Sequence, residues 1–435
     1  MSNARRNWVL FLSAGVFLGI TSGMYDSTFN NYLSDVFSMS ASTRGWLEFP
    51  REFPGVSIAL VSMLLGFLPE TRMAALAVAV WALGLAGLAF FTSGFSVLVV
   101  WMMLWSLGTH LYLPLSQAIG VSVAEHDRVG KRLGDFAGAN TAAIIAGAGF
   151  VMVGSRFFGV SYQVIFGLAA FFAVFAALAF FLMRIRSARS DASDAGDTGP
   201  SLAPGPGLRS GKRLVLKRKY GLFYALSVLY GARKQVFLTF GPWVLIKVFE
   251  QPASTIALLW IISSALGIAF KPMLGRLVDA LGERKILMAE AMALVLVCLG
   301  YCTGGTARPL GINIGLYLAC ACFVVDQLLV AVGIARTTYL NKIADTPADL
   351  TPTLAMGISM DHVVSMSVPT LGGLLWQAAG YRYVFFAAAC VALMNLFIAS
   401  KIRIHEEIGT HEGAESGSPG GYLLVSHTTT NKPVP

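Results

Sequence analysis

The chain has 435 residues, of which 56% are hydrophobic and only 13% charged. A soluble domain carries about 25% charged residues. The mean hydropathy of +0.67 therefore excludes soluble enzymes, nucleic-acid readers and disordered scaffolds, and leaves a protein that crosses a membrane many times. The net charge of +9 then has to be explained by where the basic residues sit.

Twelve apolar runs, each closed by charged, Gly or Pro punctuation, predict transmembrane helices. They lie at 8–36, 43–67, 73–93, 96–121, 134–155, 161–183, 219–248, 254–273, 285–303, 311–341, 351–377 and 383–401. Helices are expected because an open sheet cannot satisfy its backbone in lipid. The first run follows Arg5 and Arg6 and has the look of a signal peptide. It lacks a small-residue cleavage site and further runs follow, so it is expected to remain as the first span.

With the N-terminus in the cytoplasm, most basic residues fall in cytoplasmic loops and helix ends; Arg44, Arg156, Lys247, Arg308 and Arg382 fall outside. This positive-inside bias places both termini in the cytoplasm of a cell inner membrane and accounts for the net charge without nucleic acid. Residues 184–218 have basic ends around a Ser/Asp/Gly/Pro-rich middle and read as a flexible linker; the polar tail 404–435 reads as disordered. The linker separates a six-helix bundle at 1–183 from a second at 219–403. Cys298, Cys302, Cys320, Cys322 and Cys390 all sit in apolar runs and read as small core residues.

The two halves repeat. At an offset of 212, Phe11, Val16, Gly19 and Leu33 recur as Phe223, Val228, Gly231 and Leu245. At an offset of 221, Asn140 meets Asp361, and Gly159 and Tyr162 meet Gly380 and Tyr383.

Residues 275–285, placed in the loop after the eighth run, resemble the G-x-L-x-D-x-x-G-x-[RK]-[RK] loop of the major facilitator superfamily at Gly275, Leu277, Asp279, Gly282, Arg284 and Lys285. The equivalent loop after the second run, residues 66–72, lacks the Asp and the second Gly. The fifth run also lacks the Gly-Pro motif of many drug/proton antiporters. The resemblance covers about residues 7–402. It implies an all-α integral membrane fold of twelve transmembrane helices in two pseudo-symmetric six-helix bundles. It also implies a central cavity lined by spans one, four, seven and ten, and alternating access about a midplane site.

Ionisable groups at membrane depth are costly and usually functional. Span one carries Asp26 in a polar, aromatic stretch with Tyr25 and Asn30. Span two carries Glu48, Arg51 and Glu52 around Pro50 and Pro54, which predicts a kinked helix; either Arg51 neutralises one glutamate and leaves the other to carry a proton, or the charges form an outer-gate salt bridge to the other bundle. Span four has His110 near Tyr112, and its counterpart in span ten is Asp326-Gln327. Span seven has Arg233-Lys234, either an anion site or partners of Asp26, Asp326 or Asp361. Span eleven has Asp361-His362, a pair suited to proton exchange near neutral pH.

The expectation is a proton-coupled secondary transporter of a small organic anion, working as a monomer. Substrate would meet Arg233, Lys234, Asp26, Tyr25, Asn30, His110, Tyr112 and Gln327. Protons would pass through Asp26, Glu48, Glu52, Asp326, Asp361 and His362. The rival readings are a proton-driven efflux pump for amphipathic cations and, in another class, a non-transporting membrane sensor. No nucleotide-binding, zinc-protease or serine-hydrolase motif is present, so neither catalysis nor a cofactor or metal is expected.

Overall fold

The computed structural model describes residues 3–65, 67–124, 129–184, 217–305 and 313–402. The linker and tail readings fall almost wholly outside these residues. No strand occurs among the described residues. The first half contains α1 (Asn3–Asp26), α2 (Phe29–Asp35), α3 (Ala41–Trp46), α4 (Glu48–Leu64), α5 (Glu70–Phe90), α6 (Phe95–Val123), α7 (Val129–Phe157) and α8 (Tyr162–Leu182). The second contains α9 (Gly221–Lys247), α10 (Ala253–Leu281), α11 (Glu283–Thr303), α12 (Ile314–Leu329), α13 (Gly333–Ile343), α14 (Pro347–Ala379) and α15 (Tyr381–Ser400). Joined as α1–α2, α3–α4 and α12–α13, these helices make the twelve expected crossings.

Three crossings are interrupted, each for a local reason. Between α1 and α2, Ser27 Oγ donates to the Gly23 carbonyl and Thr28 Oγ1 to that of Met24, both at 2.6 Å. Such back-bonding bends a helix. Between α3 and α4 the chain breaks at Leu47, just before Pro50 in the first turn of α4, so the kink lies one turn earlier than the prolines themselves. Between α12 and α13 the residues Val330–Val332 tighten into a 3-10 turn that the sequence did not signal.

The structure corrects the motif at 275–285. Gly275 through Leu281 continue α10 as helix, and the whole connection to α11 is Gly282. Its φ of +79° suits glycine alone. Asp279 is exposed and no neighbour approaches Gly275. The buried acid there is Glu283, paired with Lys342 at 2.8 Å.

The internal repeat is visible as packing. A methyl group at Gly19 would lie 2.5 Å from the Asn140 carbonyl oxygen, because α1 crosses α7 at that point. The equivalent residues repeat the contact: a methyl at Gly231 would lie 2.5 Å from Asp361 Oδ1 and 3.0 Å from its Cα, where α9 crosses α14. One turn earlier, Gly15 accommodates the ring of Phe136, while in the second half Gly357 accommodates Phe223 and Ser227. Small residues let helices approach closely in a membrane. The same crossing is built twice with large and small side chains exchanged.

By length and apolarity, nine helical segments among the described residues qualify as membrane spans. The crossings left out are α3–α4, α9 and α14, which hold most of the embedded charge. They pack on one another, α14 lying against α9, α3 and α4.

Candidate functional site

A cavity of about 520 Å³ lies between the halves. Its wall includes Tyr25, Asp26, Phe29 and Asn30 at the α1–α2 break, and Trp105, His110 and Tyr112 from α6. Leu238 and Pro242 of α9, Trp260 of α10 and Phe323 and Gln327 of α12 close the opposite side. The aromatic part is one stack: Tyr25 lies 4.8 Å from Phe29 and 4.1 Å from Trp105 between ring centroids. Such a surface offers a ring-bearing ligand flat apolar faces.

Asp26 is half-buried in this wall. Among the described residues no ion pair or side-chain hydrogen bond holds its carboxylate. Of the residues expected to bind substrate, Asp26, Tyr25, Asn30, His110, Tyr112 and Gln327 all line the cavity.

Arg233 and Lys234 do not; of the two alternatives read from the sequence, this structure holds the ion pairs. Arg233 is buried behind the wall; its guanidinium donates to Asp326 Oδ1 at 2.9 Å and lies 3.6 Å from Glu290 Oε1. Lys234 donates to Asp361 Oδ2 at 2.8 Å, and Ser365 Oγ donates to the other oxygen at 3.1 Å. Adjacent side chains on a helix point about 100° apart, so the two cations meet different helices. Asp326 and Asp361 are therefore bonded counter-ions rather than exposed proton acceptors in this structure. Close by, the Arg336 guanidinium sits 3.4 Å above the Tyr230 ring.

The span-two cluster also differs from expectation. Arg44, read from the sequence at the outer end of span two, is 3% exposed and reaches inward. It donates to Asn30 Oδ1 at 2.9 Å and pairs with Glu48. Arg51 bridges Glu48 Oε2 at 2.5 Å and Glu52 Oε1 at 2.7 Å. Two arginines thus meet two glutamates, and neither carboxylate is left over as the free proton carrier that one arginine would have implied.

This cluster crosses between the halves. Gln235 Nε2 of α9 donates to Glu48, and His362 Nδ1 of α14 lies 2.9 Å from Glu52 Oε2. Nearer the loop after α2, Asn31 Nδ2 donates to the Gln251 carbonyl at 3.0 Å. At the same end, α3 and α14 touch backbone to backbone: a methyl at Gly45 would lie 2.1 Å from the Pro369 carbonyl oxygen.

Glu290 is the embedded acid that the sequence reading missed. It is 2% exposed, and neither carboxylate oxygen has a hydrogen-bond partner. Its signal was available, as a carboxylate within the apolar run 285–303.

Comparison with known proteins agrees with this architecture. The family model described as Major Facilitator Superfamily matches residues 11–360. Among solved structures, a point mutant of the nucleoside transporter NupG is similar with a TM-score of 0.73 and 14% identity, over 90% of this chain and 98% of that one. A D-xylose–proton symporter gives 0.62 and 16%, over 92% and 98%. A bacterial homologue of the human lysosomal transporter Spinster, in an inward-facing and unoccupied conformation, gives 0.63 and 11%, over 92% and 97%. No curated protein matches the sequence. With its helical crossings, its duplicated packing and a family match over most of its length, this multi-pass membrane protein belongs to the major facilitator superfamily of transporters.

Proposed function

We propose that the chain is a proton-coupled secondary transporter that moves a neutral or cationic, ring-bearing solute by alternating access. The observation that carries this reading is Asp26, an acid without a bonded partner set in an aromatic cavity wall. Every other embedded carboxylate of the sequence reading is tied to a cation. The cations once expected to hold an organic anion are occupied by Asp326, Glu290 and Asp361, so the anion reading loses its binding group. In the proposed cycle Asp26 exchanges a proton for the solute, and the two halves, 1–183 and 219–403, rock about the cavity. The hydrogen bonds between the halves at Asn31, Glu48 and Glu52 support a state closed at the end where α2 stops. With the termini in the cytoplasm of the cell membrane, that end faces outward.

The test is binding and transport with Asp26→Asn. Purified wild-type protein is expected to gain thermal stability with lipophilic or ring-bearing cations or with nucleoside-like neutral solutes, by RT ln(1 + [L]/Kd). Asp26→Asn should fold normally, because no bonded partner is broken, yet lose proton-driven uptake or extrusion in vesicles. Full coupled transport by Asp26→Asn, or stabilisation by organic anions alone, would overturn the reading.

A further inference from the structure

Glu52, His110 and His362 come from α4, α6 and α14, and their ligand atoms lie within 4.8 Å of one another. His110 Nδ1 lies 2.9 Å from the Ser106 carbonyl oxygen. A carbonyl only accepts, so Nδ1 carries the hydrogen and Nε2 keeps its lone pair. That lone-pair nitrogen lies 3.8 Å from Glu52 Oε2. The His362 Nδ1 lies 2.9 Å from the same oxygen. The other Glu52 oxygen is fixed by Arg51 at 2.7 Å.

The two imidazoles share a space that exists only because residue 55 is glycine. A methyl there would lie 2.8 Å from His362 Cε1 and Nδ1 and 3.1 Å from His110 Cδ2. The neighbouring fixed charges are matched: Arg44 and Arg51 by Glu48 and Glu52, and Lys234 by Asp361. Asp26 is the remaining negative charge on the same cavity wall.

We propose that Glu52, His110 and His362 form a binding site for a first-row transition-metal ion of the zinc type. Two imidazoles and one carboxylate suit zinc or cobalt rather than magnesium or calcium, which prefer all-oxygen shells. The Ser106 carbonyl behind His110 and Arg51 behind Glu52 supply the outer partners that orient such ligands. To coordinate, His362 moves its ring hydrogen from Nδ1 to Nε2, and the metal replaces the Nδ1–H···Glu52 bond. His110 also lines the cavity, which gives the ion a route in and leaves its fourth position to water. Because α4 and α6 belong to one half and α14 to the other, a bound ion ties the halves together in this state. The site is independent of the identity of the transported solute.

The test is titration of the purified full chain with ZnCl₂, with MgCl₂ as control, read by calorimetry and by thermal unfolding. CoCl₂ adds a visible spectrum that reports coordination by nitrogen ligands. One zinc equivalent is expected to bind and to raise Tm, and magnesium to do neither. His110→Gln and His362→Gln should each weaken that equivalent at least about tenfold. Either variant suffices, so a folding failure in one leaves the other to decide. Unchanged zinc stoichiometry and affinity in the histidine variants would place the ligands elsewhere and overturn the site. Absence of zinc binding to the wild-type chain would do the same.

Discussion

Arg51 touches two buried carboxylates at once, Glu48 and Glu52. Arg51→Ala leaves Glu52 without a formal cation and Glu48 with Arg44 alone. Removing one partner of a buried pair costs about 3–5 kcal/mol. Thermal unfolding in detergent is expected to show a clear loss of Tm for Arg51→Ala and almost none for Asp26→Asn, which has no bonded partner to strand. The sequence located these charges well, because an ionised group in an apolar run stands out. It offered Asp326 and Asp361 among the partners of Arg233 and Lys234 but could not choose between pairing and an anion site. Helical periodicity says which face a side chain occupies, not which neighbouring helix meets that face. Arg44 was placed at the outer end of span two, but its position alone did not show that a long guanidinium turns inward to Glu48. The histidine–glutamate cluster was invisible for a related reason: its members come from three separate helices, and Glu52 and His362 are 310 residues apart.

At the scale of elements, the helices were legible and their interruptions were only partly so. Pro50 and Pro54 announced a kink in span two, whereas Ser27 and Thr28 act through hydroxyl bonds that carry no distinctive pattern. A further element-level contact holds the start of α9. Lys217 donates to Asp349 at 2.7 Å and to Asp345 at 3.2 Å, Lys219 pairs with Asp345, and Tyr220 Oη donates to Asp349 at 3.0 Å. Hydrogen bonds from these lysines hold both carboxyls below the usual aspartate range. Groups with depressed pKa stabilise the fold above their unfolded value, about 3.9 for Asp, and that contribution is lost as pH falls through the folded value. The fastening is therefore expected to hold across neutral pH and to open only in acid below about pH 4. Hydrogen exchange of residues 217–221 against pH would show this, and opening near pH 6 would contradict it. Lys217, Lys219 and Asp345 are solvent-facing, so salt should loosen the same contact.

For the whole molecule, the seam between the halves rests on glycines as much as on charges. Gly45 and Gly373 allow α3 and α14 to meet backbone to backbone; a methyl at Gly373 would lie 2.5 Å from the Ala41 carbonyl oxygen. Gly45→Ala should push the halves apart at that end. Labelling of a cysteine placed at Asn31 is expected to rise severalfold in the Gly45→Ala background and to stay at the parental level with Gly134→Ala, since Gly134 has open space around it. The number of crossings and their duplication were readable from punctuation and repeated residues. The seam was not, because glycines that admit a neighbour look like glycines that merely bend a chain.

The pairing of α9 with later helices also bears on how the protein is made. A Lys or Arg at the centre of a span costs about 2.5–3.5 kcal/mol on translocon insertion. Arg233 and Lys234 leave the ribosome before Glu290, Asp326 and Asp361, the acids that neutralise them. During synthesis α9 is therefore a poor membrane segment on its own, and it settles only when α11, α12 and α14 arrive. Nascent chains ending before α12 are expected to leave α9 accessible to added protease, and chains extended through α14 to protect it. The order of translation thus sets an assembly order, in which the second half inserts as a group rather than helix by helix.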